Sequence, residues 1–435
     1  MIKRRLFLGF TLLCSFFGIS AQYKILTIEE MFRLADENSK AIKIRSIAID
    51  EAEQAIKIAQ NDKLPNIKAH LSLNYISDGY VTDRDFSNAV HAEMPHFGNS
   101  FALKASQVVY AGGKISENIR NKKLYQQIAE LELSQQKQDL RFILLGYYLD
   151  LFQLRNQVVV YQKNIEQTKL LVKDMQAAYK QGTALKSDIT RYELQLQNLE
   201  LGLTTTENKM NVINHHLSTT IGLDPAIKLL PDTTMLVKYS IDKGTESTWR
   251  EDIDNTPKMK LAQKAIELNL SEQQMIKAER RPNISLFATN ELSGPILIEV
   301  PPINNNFTYW FAGVEVSYNI DALFKSNKKL KKAKISTMKS EEKRKLIEEE
   351  IDNALHEAYI GLDEAYVRLR TQKKSVQLAH ENYKIVQQRY LNGLSLITDM
   401  LDASNMQLDM ELKLANDQIG ILYQYFLLKK ITGSL

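Results

Sequence analysis

Two hydrophobic patterns alternate along the chain. Long proline-free stretches, from Lys114 to about Leu217 and from Leu323 to Lys430, carry apolar residues at heptad-like spacing, which predicts helices. If the stretch from Lys114 to Gln181 is one helix, its length is about 100 Å. Other, shorter stretches have an apolar residue at every second position, which predicts strands with one apolar and one polar face.

Four short stretches show this period of two. In the first, the apolar residues from Ile67 to Tyr75 alternate with polar ones: Lys68, His70, Ser72 and Asn74. Helices are predicted ahead of the first and third stretches, over residues 27–63 and from Pro257 to Arg280. The strands are predicted at about 66–76, 100–110, 283–291 and 308–318.

The sequence from Ala178 to Tyr192 is repeated, 211 positions later, from Arg389 to Ala403. In both copies a helical run reaches a tyrosine, a glycine breaks it, and a new helix starts near an aspartate. The aligned residues at the break are Tyr179 with Tyr390, Gly182 with Gly393, Leu185 with Leu396 and Asp188 with Asp399. The register holds without a gap from Leu144 to Gly222, which predicts a duplicated unit.

The predicted fold class is mainly α with a small β part, in two tandem repeats of helix, strand, strand and long helical hairpin. The hairpin turns at Gly182 in the first repeat and at Gly393 in the second. The predicted boundaries are 1–21 for a signal peptide, 22–222 for the first repeat, 223–257 for a connector rich in proline, and 258–435 for the second repeat.

The N-terminus has the three parts of a signal peptide: basic residues Lys3–Arg5, an apolar stretch Leu6–Ile19, and small residues up to Ala21. We expect cleavage after Ala21; a membrane anchor is the alternative, but the stretch is short for one. Cys14 is the only cysteine and lies in the apolar part, so the exported chain would have no disulfide. Loss of three basic residues would lower the net charge from +4 to +1, which gives no reason to expect a nucleic-acid partner.

After the N-terminus no run of 18 apolar residues occurs, which excludes a helical transmembrane protein but not a β-barrel. Aromatic residues flank the predicted strands, as they do where a barrel meets the membrane interface: Tyr75, Tyr110, Tyr309, Trp310 and Tyr318. Since four strands cannot close a barrel, several chains would have to share one. Two chains would give eight strands and a filled interior, and three would give twelve and a lumen. A soluble sandwich, in which another layer covers the apolar face, is the other arrangement.

Over essentially the whole mature chain, the sequence resembles the TolC-like outer-membrane efflux proteins. The similarity includes Leu64-Pro65-Asn66 and Arg281-Pro282-Asn283 before the first strand of each half, and Tyr110-Ala111-Gly112-Gly113-Lys114 after the second strand. Its most specific part is Arg389–Ala403, which is close to the family pattern Tyr-x-x-Gly-x-x-x-x-x-Asp-Val-Leu-Asp-Ala. The second half departs from the family, because Asn319–Phe324 stands where the first half has Gly-Gly.

This resemblance implies a homotrimer with a shared transmembrane β-barrel of twelve strands, four from each chain, and an α-helical barrel across the periplasm. It also implies an exit duct in the outer membrane of a Gram-negative cell, surrounded by outer-membrane lipid. The duct would passively conduct substrates for a tripartite efflux or type I secretion system, and its helical tips would dock on a periplasmic adaptor joined to an inner-membrane pump or ATPase. A soluble periplasmic coiled-coil scaffold or adaptor is the alternative, which two equivalent hairpins disfavour.

No enzyme is predicted, because the sequence has no Gly-x-Ser-x-Gly, no His-Glu-x-x-His and no metal-spaced cysteines. No cofactor or metal is expected either. A basic run at the start of the second long hairpin predicts a solvated helix face or, near the membrane, a contact with anionic lipid headgroups: Lys325, Lys328, Lys329, Lys331, Lys332 and Lys334.

The candidate functional residues lie at the hairpin turns. Asp399 and Asp402 are three apart and share a helix face. In a trimer they would form a pore ring that favours cations and whose crowding raises some of their pKa values; acids in a first helical turn are also common caps. The resemblance favours the ring. It also implies a gate in which Tyr390 and Asp188 hydrogen-bond between neighbouring helices, whereas Tyr390 alone is equally compatible with a packing aromatic. Gly182 and Gly393 are predicted to terminate helices.

Overall fold

The structure is a computed structural model that describes residues 23–232, 244–299 and 302–435. The predicted signal peptide, with Cys14, lies outside the described residues. No helix in these ranges combines the length and the apolar character needed to cross a lipid bilayer.

The described chain is mainly helical with several strands. The elements of the first half are β1 (Tyr23–Leu26), α1 (Ile28–Asn38), α2 (Lys40–Asn61), β2 (Asn66–Tyr75), β3 (Gly79–Val81), β4 (Val90–Ala92), β5 (Phe97–Ala111), α3 (Lys114–Lys180), α4 (Lys186–Ile221) and β6 (Lys228–Pro231). Those of the second half are α5 (Glu246–Arg250), a 3-10 turn (Ile253–Asn255), α6 (Pro257–Ala278), β7 (Asn283–Gly294), β8 (Phe307–Ser317), α7 (Asp321–Leu391), α8 (Ile397–Asp417) and α9 (Gly420–Ile431).

Polar caps and a glycine mark where the helices begin. The Thr27 hydroxyl accepts a hydrogen bond from the Glu30 amide (3.1 Å) at the start of α1, and Thr256 accepts one from Met259 (3.2 Å) at the start of α6. Gly113 precedes α3 in the left-handed region, with φ of 91°. The helix α3 then runs for 67 residues without a break, which corresponds to about 100 Å.

Strands β2, β5, β7 and β8 form one antiparallel sheet in that order. Residues that pair across antiparallel strands share a face, and the register sets Ala69 opposite Leu103, and Ala105 opposite Ala288. One face is therefore apolar, and its side chains are exposed in the single chain: Ile67, Leu71, Leu73, Leu286, Trp310, Val314 and Val316. Among the described strands, the edge strands β2 and β8 each have a neighbour on one side only.

The helices next to the sheet follow the same order as its strands. Helix α2 packs on α3, α3 packs on α6, and α6 packs on α7. At the far end the two hairpins meet, because α3 contacts both α4 and α8, and α8 packs on α7. The chain thus has one layer of strands and helices with two lateral edges, formed by β2 with α2 and by β8 with α7.

The main apolar core lies around the middle of the long helices. There Leu144, Leu217 and Ile221 are fully buried and pack with Phe426 of α9 and with β1 and β6. The Tyr148 hydroxyl donates a hydrogen bond to the Leu26 carbonyl (2.9 Å) and accepts one from the Asp232 amide (2.8 Å). A second cluster around Leu355 and Leu362 packs the other hairpin against α6 and α9.

Two helix predictions need correction. The predicted helix over 27–63 is interrupted at Ser39, whose backbone is extended. At the end of α1, the side-chain amide of Asn38 donates hydrogen bonds to the backbone carbonyls of Leu34 (3.0 Å) and Ile221 (3.1 Å). The predicted helix after the second turn also breaks, between α8 and α9 at Gln418 and Ile419. Apolar spacing continues across both breaks, so the pattern alone did not reveal them.

The sequence pattern also missed two small β units. Strands β1 and β6 pair in parallel, although about two hundred positions separate them in the chain, and local alternation cannot show such a long-range pairing. Strands β3 and β4 form a hairpin between the first two predicted strands, and three residues are too few for a period to be recognised.

Candidate functional site at the hairpin tips

Both hairpins reverse direction through a glycine in the left-handed region. Gly182 has φ of 76° and Gly393 has φ of 69°, values that suit glycine because it has no Cβ. The two turns have the same backbone hydrogen bond. The Thr183 amide donates to the Ala178 carbonyl (3.0 Å) in the first turn, and the Leu394 amide donates to the Arg389 carbonyl (2.8 Å) in the second. A Cβ on either glycine would meet no atom within 4 Å, so the backbone conformation alone requires glycine here.

Asp188 and Asp399 cap the helices that follow these turns. An oxygen of Asp188 accepts a hydrogen bond from the Leu185 amide (3.1 Å). Asp399 accepts one from the Leu396 amide (3.0 Å) and a second from the Ser395 hydroxyl (2.9 Å). The pKa of Asp399 is held below its usual value, chiefly by the hydrogen bond from the Leu396 amide. The bond from the Ser395 hydroxyl and the positive charge of Arg389 lower this pKa further. Within one chain, each carboxylate therefore stabilises a helix start.

A cluster of tyrosines and methionines packs between the two hairpins just behind the turns. Its buried members are Met175 of α3, Tyr192 of α4, Tyr383 of α7, and Met400 and Ala403 of α8. Tyr390 is partly buried beside them, and its hydroxyl donates to the sulfur of Met175 (3.2 Å). Burial raises the pKa values of Tyr192, Tyr383 and Tyr390, and the charge of Asp188 adds to the rise for Tyr192 and Tyr390.

The Tyr192 hydroxyl is buried without a hydrogen-bond partner in the described part of the chain. The side chain as a whole is 1% exposed. An unpaired buried hydroxyl destabilises a folded state by roughly 1–3 kcal/mol. The tip cluster thus combines good apolar packing with one unsatisfied polar atom.

The predicted gate and ring residues all lie at or next to the hairpin turns, but no hydrogen bond joins any two of them in the described chain. The Tyr390 hydroxyl bonds to Met175, and Asp188 bonds to its own helix start. Asp402 is exposed on the surface of α8. Contacts of Asp188, Tyr390, Asp399 and Asp402 across a subunit boundary remain predictions.

Sequence reasoning missed Met175, Tyr192 and Tyr383 at the tip. A signal existed for Tyr192, because it lies four residues after Asp188 and therefore on the same helix face. Met175 and Tyr383 carry no local signal, since they meet the cluster only when the two hairpins pack together.

A second polar group links the hairpins further from the tip. Glu411 of α8 pairs with Lys163 (3.1 Å) and accepts from Asn164 (3.2 Å), both on α3. Buried Gln407 donates to the same carboxylate (3.1 Å) and lies 3.3 Å from a ring nitrogen of His380 on α7. These bonds connect α3, α7 and α8, and the local pattern did not predict them.

The polar face of the sheet carries a row of three aromatic side chains, of which only Tyr309 was among the predicted strand-flanking aromatics. On β8, Tyr309 stacks on Phe311 (ring centroids 5.9 Å apart) and lies beside Phe307 (5.3 Å). The Tyr309 hydroxyl donates to Glu291 of β7 (2.7 Å). Among the described residues, no three His, Cys, Asp or Glu side chains are placed to hold a metal ion.

Comparison with known proteins finds a family match in the second half of the chain and a fold shared with solved bacterial outer-membrane proteins. A sequence model of the family described as Outer membrane efflux protein matches residues 251–434. A search of the curated proteins finds no significant match. The fold is shared with the outer membrane protein VceC from Vibrio cholerae, which is 14% identical with a TM-score of 0.73, over 93% of this chain and 96% of that one.

Two further solved structures are similar to the same extent. The outer membrane channel CmeC from Campylobacter jejuni is 14% identical with a TM-score of 0.73, over 94% of this chain and 85% of that one. The outer membrane channel MtrE from Neisseria gonorrhoeae is 14% identical with a TM-score of 0.72, over 93% of this chain and 88% of that one. At this identity the likeness shows a shared fold. Residues 251–434 of the chain are thus similar to the outer membrane efflux protein family.

Proposed function

We propose that this protein is the outer-membrane exit duct of a tripartite efflux or type I secretion system. Substrates would pass through it passively, from a periplasmic adaptor with its inner-membrane pump or ATPase to the outside of the cell. The match of residues 251–434 to the outer membrane efflux protein family carries this proposal. The chain itself supplies the path, and its partners supply the energy.

The exposed sheet supports an assembly in which several copies share one barrel. Its apolar face is open, and both edge strands have unpaired backbone groups, which lipid does not tolerate. Three copies would give a closed barrel of twelve strands with room for a lumen. A soluble scaffold would need another layer over the apolar face, and no described element covers it.

The long helices support a tunnel that continues from this barrel. Because the helix order α2, α3, α6, α7 follows the strand order, closing the sheet into a ring also closes the helices into a cylinder. The cylinder would be about 100 Å long, and the turns at Gly182 and Gly393 would lie at its far end. That end is where an adaptor would dock.

The tip residues are proposed to control this entrance. Tyr390 and Asp188 would hold the closed tip together, and the carboxylates of Asp399 and Asp402, repeated around the axis, would form a ring that favours cations. The support within one chain is the tyrosine cluster that joins the hairpins and the exposure of both Asp399 and Asp402.

Planar lipid bilayers provide the direct test. The purified full-length protein should produce discrete conductance steps, with a preference for cations over anions. Asp399→Asn combined with Asp402→Asn should reduce that preference without abolishing the steps. Absence of any conductance from correctly folded protein would reject the duct, and an unchanged preference in the double variant would reject the ring alone.

A further inference from the structure

Helix α7 has an exposed stripe on the side that faces away from its neighbour α6. The side chains on the α6 side include Ser326 and Thr337, which bond to Arg280 (2.6 Å) and Gln273 (2.6 Å). The residues on the opposite side are spaced three or four positions apart, as expected for one helix face. They are Phe324, Lys328, Lys331, Ile335, Met338 and Glu342. All six are exposed. Three are apolar, two are lysines and one is a glutamate.

Helix α2 has a matching stripe on the side that faces away from its neighbour α3. The α3 side includes Arg45, which pairs with Glu132 (2.7 Å), and the buried Ile42. The opposite side again has helical spacing, with Lys40, Ile44, Ile47, Glu51, Gln54 and Ile58. Three isoleucines on this stripe are largely exposed in the single chain: Ile44 by 66%, Ile47 by 55% and Ile58 by 67%. Exposed apolar side chains grouped on one helix face are typical of a surface that binds another protein.

The two stripes complement each other when the helices run antiparallel at the same height above the sheet. Lys331 lies ten residues after the start of α7 at Asp321, and Glu51 lies ten residues before the end of α2 at Asn61. In this register Ile58 faces Phe324, and each further helical turn brings one residue of α2 opposite one residue of α7. Those are Gln54 with Lys328, Glu51 with Lys331, Ile47 with Ile335, Ile44 with Met338, and Lys40 with Glu342.

A contact inside the chain supports the same register. Ser271 of α6 donates to Glu117 of α3 (3.4 Å). The long helices of the two halves align at an offset of 211 positions, so Glu117 of α3 corresponds to Lys328 of α7. The shorter helices before the strands align at an offset of 217, the distance between Pro65 and Pro282, so Ser271 of α6 corresponds to Gln54 of α2. The pairing of α3 with α6 within one chain thus places Lys328 beside Gln54 in the corresponding pairing of α7 with α2.

The two central lysines of the α7 stripe and Glu51 of the α2 stripe have no charged partner in the described part of the chain, whereas Glu342 at the end of the α7 stripe pairs with Lys345 (2.9 Å) of its own helix. In the described part of the chain, Lys328 and Lys331 have no carboxylate within 4.0 Å, whereas Lys325 and Lys329 of the same basic run pair with Asp321 and Glu279. Glu51 likewise has no cationic partner there. Lysines one turn apart repel each other, so a facing carboxylate on another helix would stabilise this surface.

We propose that α7 of one copy docks on α2 of the next copy in this single register, with Lys331 against Glu51 and Glu342 against Lys40 inside flanking apolar contacts. The occupant of the α7 stripe is therefore a second copy of this chain, and not lipid. The inference rests on the ring assembly of the proposed function and adds the residues that set its register.

Disulfide crosslinking tests the register in the full-length protein. In a Cys14→Ser background, which has no other cysteine, Glu51→Cys combined with Lys331→Cys should give covalent oligomers on an unreduced, heated gel. One control is Ile44→Cys with Lys331→Cys, which is displaced by about 10 Å along the helix. The other is Glu51→Cys with Lys334→Cys, on a different face of α7. Both controls should stay monomeric on the same gel.

The charge pair is tested by reversal. Lys331→Glu should lower the temperature at which the native oligomer dissociates on an unheated-to-heated gel series, and Lys331→Glu with Glu51→Lys should restore it. If the wild-type protein forms no oligomer at all, the proposed function fails. If the oligomer forms but the 51–331 pair does not crosslink, or if a control pair crosslinks as well, the proposed register is overturned.

Discussion

The hydroxyl of Tyr390, at the end of α7, donates a hydrogen bond to the sulfur of Met175 on α3 (3.2 Å). This bond joins the two hairpins just behind their turns. The same tyrosine lies close enough to Asp188 for that carboxylate to raise its pKa, although burial raises it more. Tyr390 is therefore the tip side chain whose contacts extend from the second hairpin to both helices of the first.

Removing the contacts of Tyr390 should loosen the tip. Asp188→Ala combined with Tyr390→Phe is expected to raise single-channel conductance in planar bilayers, because the variant loses the bond to Met175 and the cap at Leu185. Together these bonds stabilise the tip by about 1–3 kcal/mol. Tyr179→Phe is the matched control, since this tyrosine precedes the other turn and is 47% exposed. Equal conductance in all three proteins would show that these residues do not hold the entrance closed.

Replacing Tyr192 by phenylalanine should have the opposite effect. The ring would still fill its buried site, while the unpaired hydroxyl and its destabilisation of about 1–3 kcal/mol would be removed. Hydrogen exchange of the amides in α4 next to the turn should slow relative to the wild type. Tyr366→Phe, on an exposed part of α7, should leave these rates unchanged. Faster exchange in Tyr192→Phe would mean that the hydroxyl has a stabilising partner.

The turn glycines can be tested against a helical glycine. Gly393→Ala should destabilise the tip by about 1–2 kcal/mol, since alanine is strained at a φ of 69°. Gly146→Ala lies inside α3 with no atom within 4 Å of the new Cβ, so it should stabilise the helix by up to about 1 kcal/mol. Local unfolding free energies from hydrogen exchange measure both changes. The same sign for the two variants would contradict the conformational argument.

The cap at Asp399 predicts a response to acid. The pKa of Asp399 is lowered in the folded chain, first by the Leu396 amide, so the cap is fully formed above the usual value of 3.8. Its stabilising effect is lost as the pH falls through the lowered pKa. Protection of the Leu396 amide from hydrogen exchange, corrected for intrinsic rates, should fall over that interval in the wild type and should not vary with pH in Asp399→Asn.

The same titration separates the cap from the proposed ring. In an assembled ring, repulsion among Asp399 and Asp402 carboxylates would raise their pKa values. A pKa of Asp399 that stays below 3.8 in the oligomer would show that the cap dominates. A value above it that returns downward in Asp402→Asn would support the ring of carboxylates.

Regular patterns in the sequence predicted the elements that build the sheet and the long helices. Alternation from Ile67 to Tyr75 marks a strand where β2 lies, and the glycine at 393 marks the end of α7. These features are local, because side-chain period and left-handed backbone depend on neighbouring residues. The same reasoning identified Asp399 as a possible cap, which is its role within the chain.

Features that depend on distant contacts were not predictable in this way. The parallel pair of β1 and β6 joins segments from opposite ends of the first half, and the tyrosine cluster requires packing between two hairpins. The break at Ser39 is stabilised in part by a bond from Asn38 to the Ile221 carbonyl (3.1 Å). In each case a residue far away in sequence decides the local structure, and an isolated window contains no sign of it.

The central claim is that copies of this chain close one channel in the outer membrane. The most direct measurement expresses the full-length protein in a Gram-negative host, separates inner from outer membranes, and runs the crosslinked detergent extract on gels without and with heating. The account predicts an outer-membrane protein that migrates as a trimer and becomes a monomer on heating. A monomeric species in the soluble periplasmic fraction would contradict it.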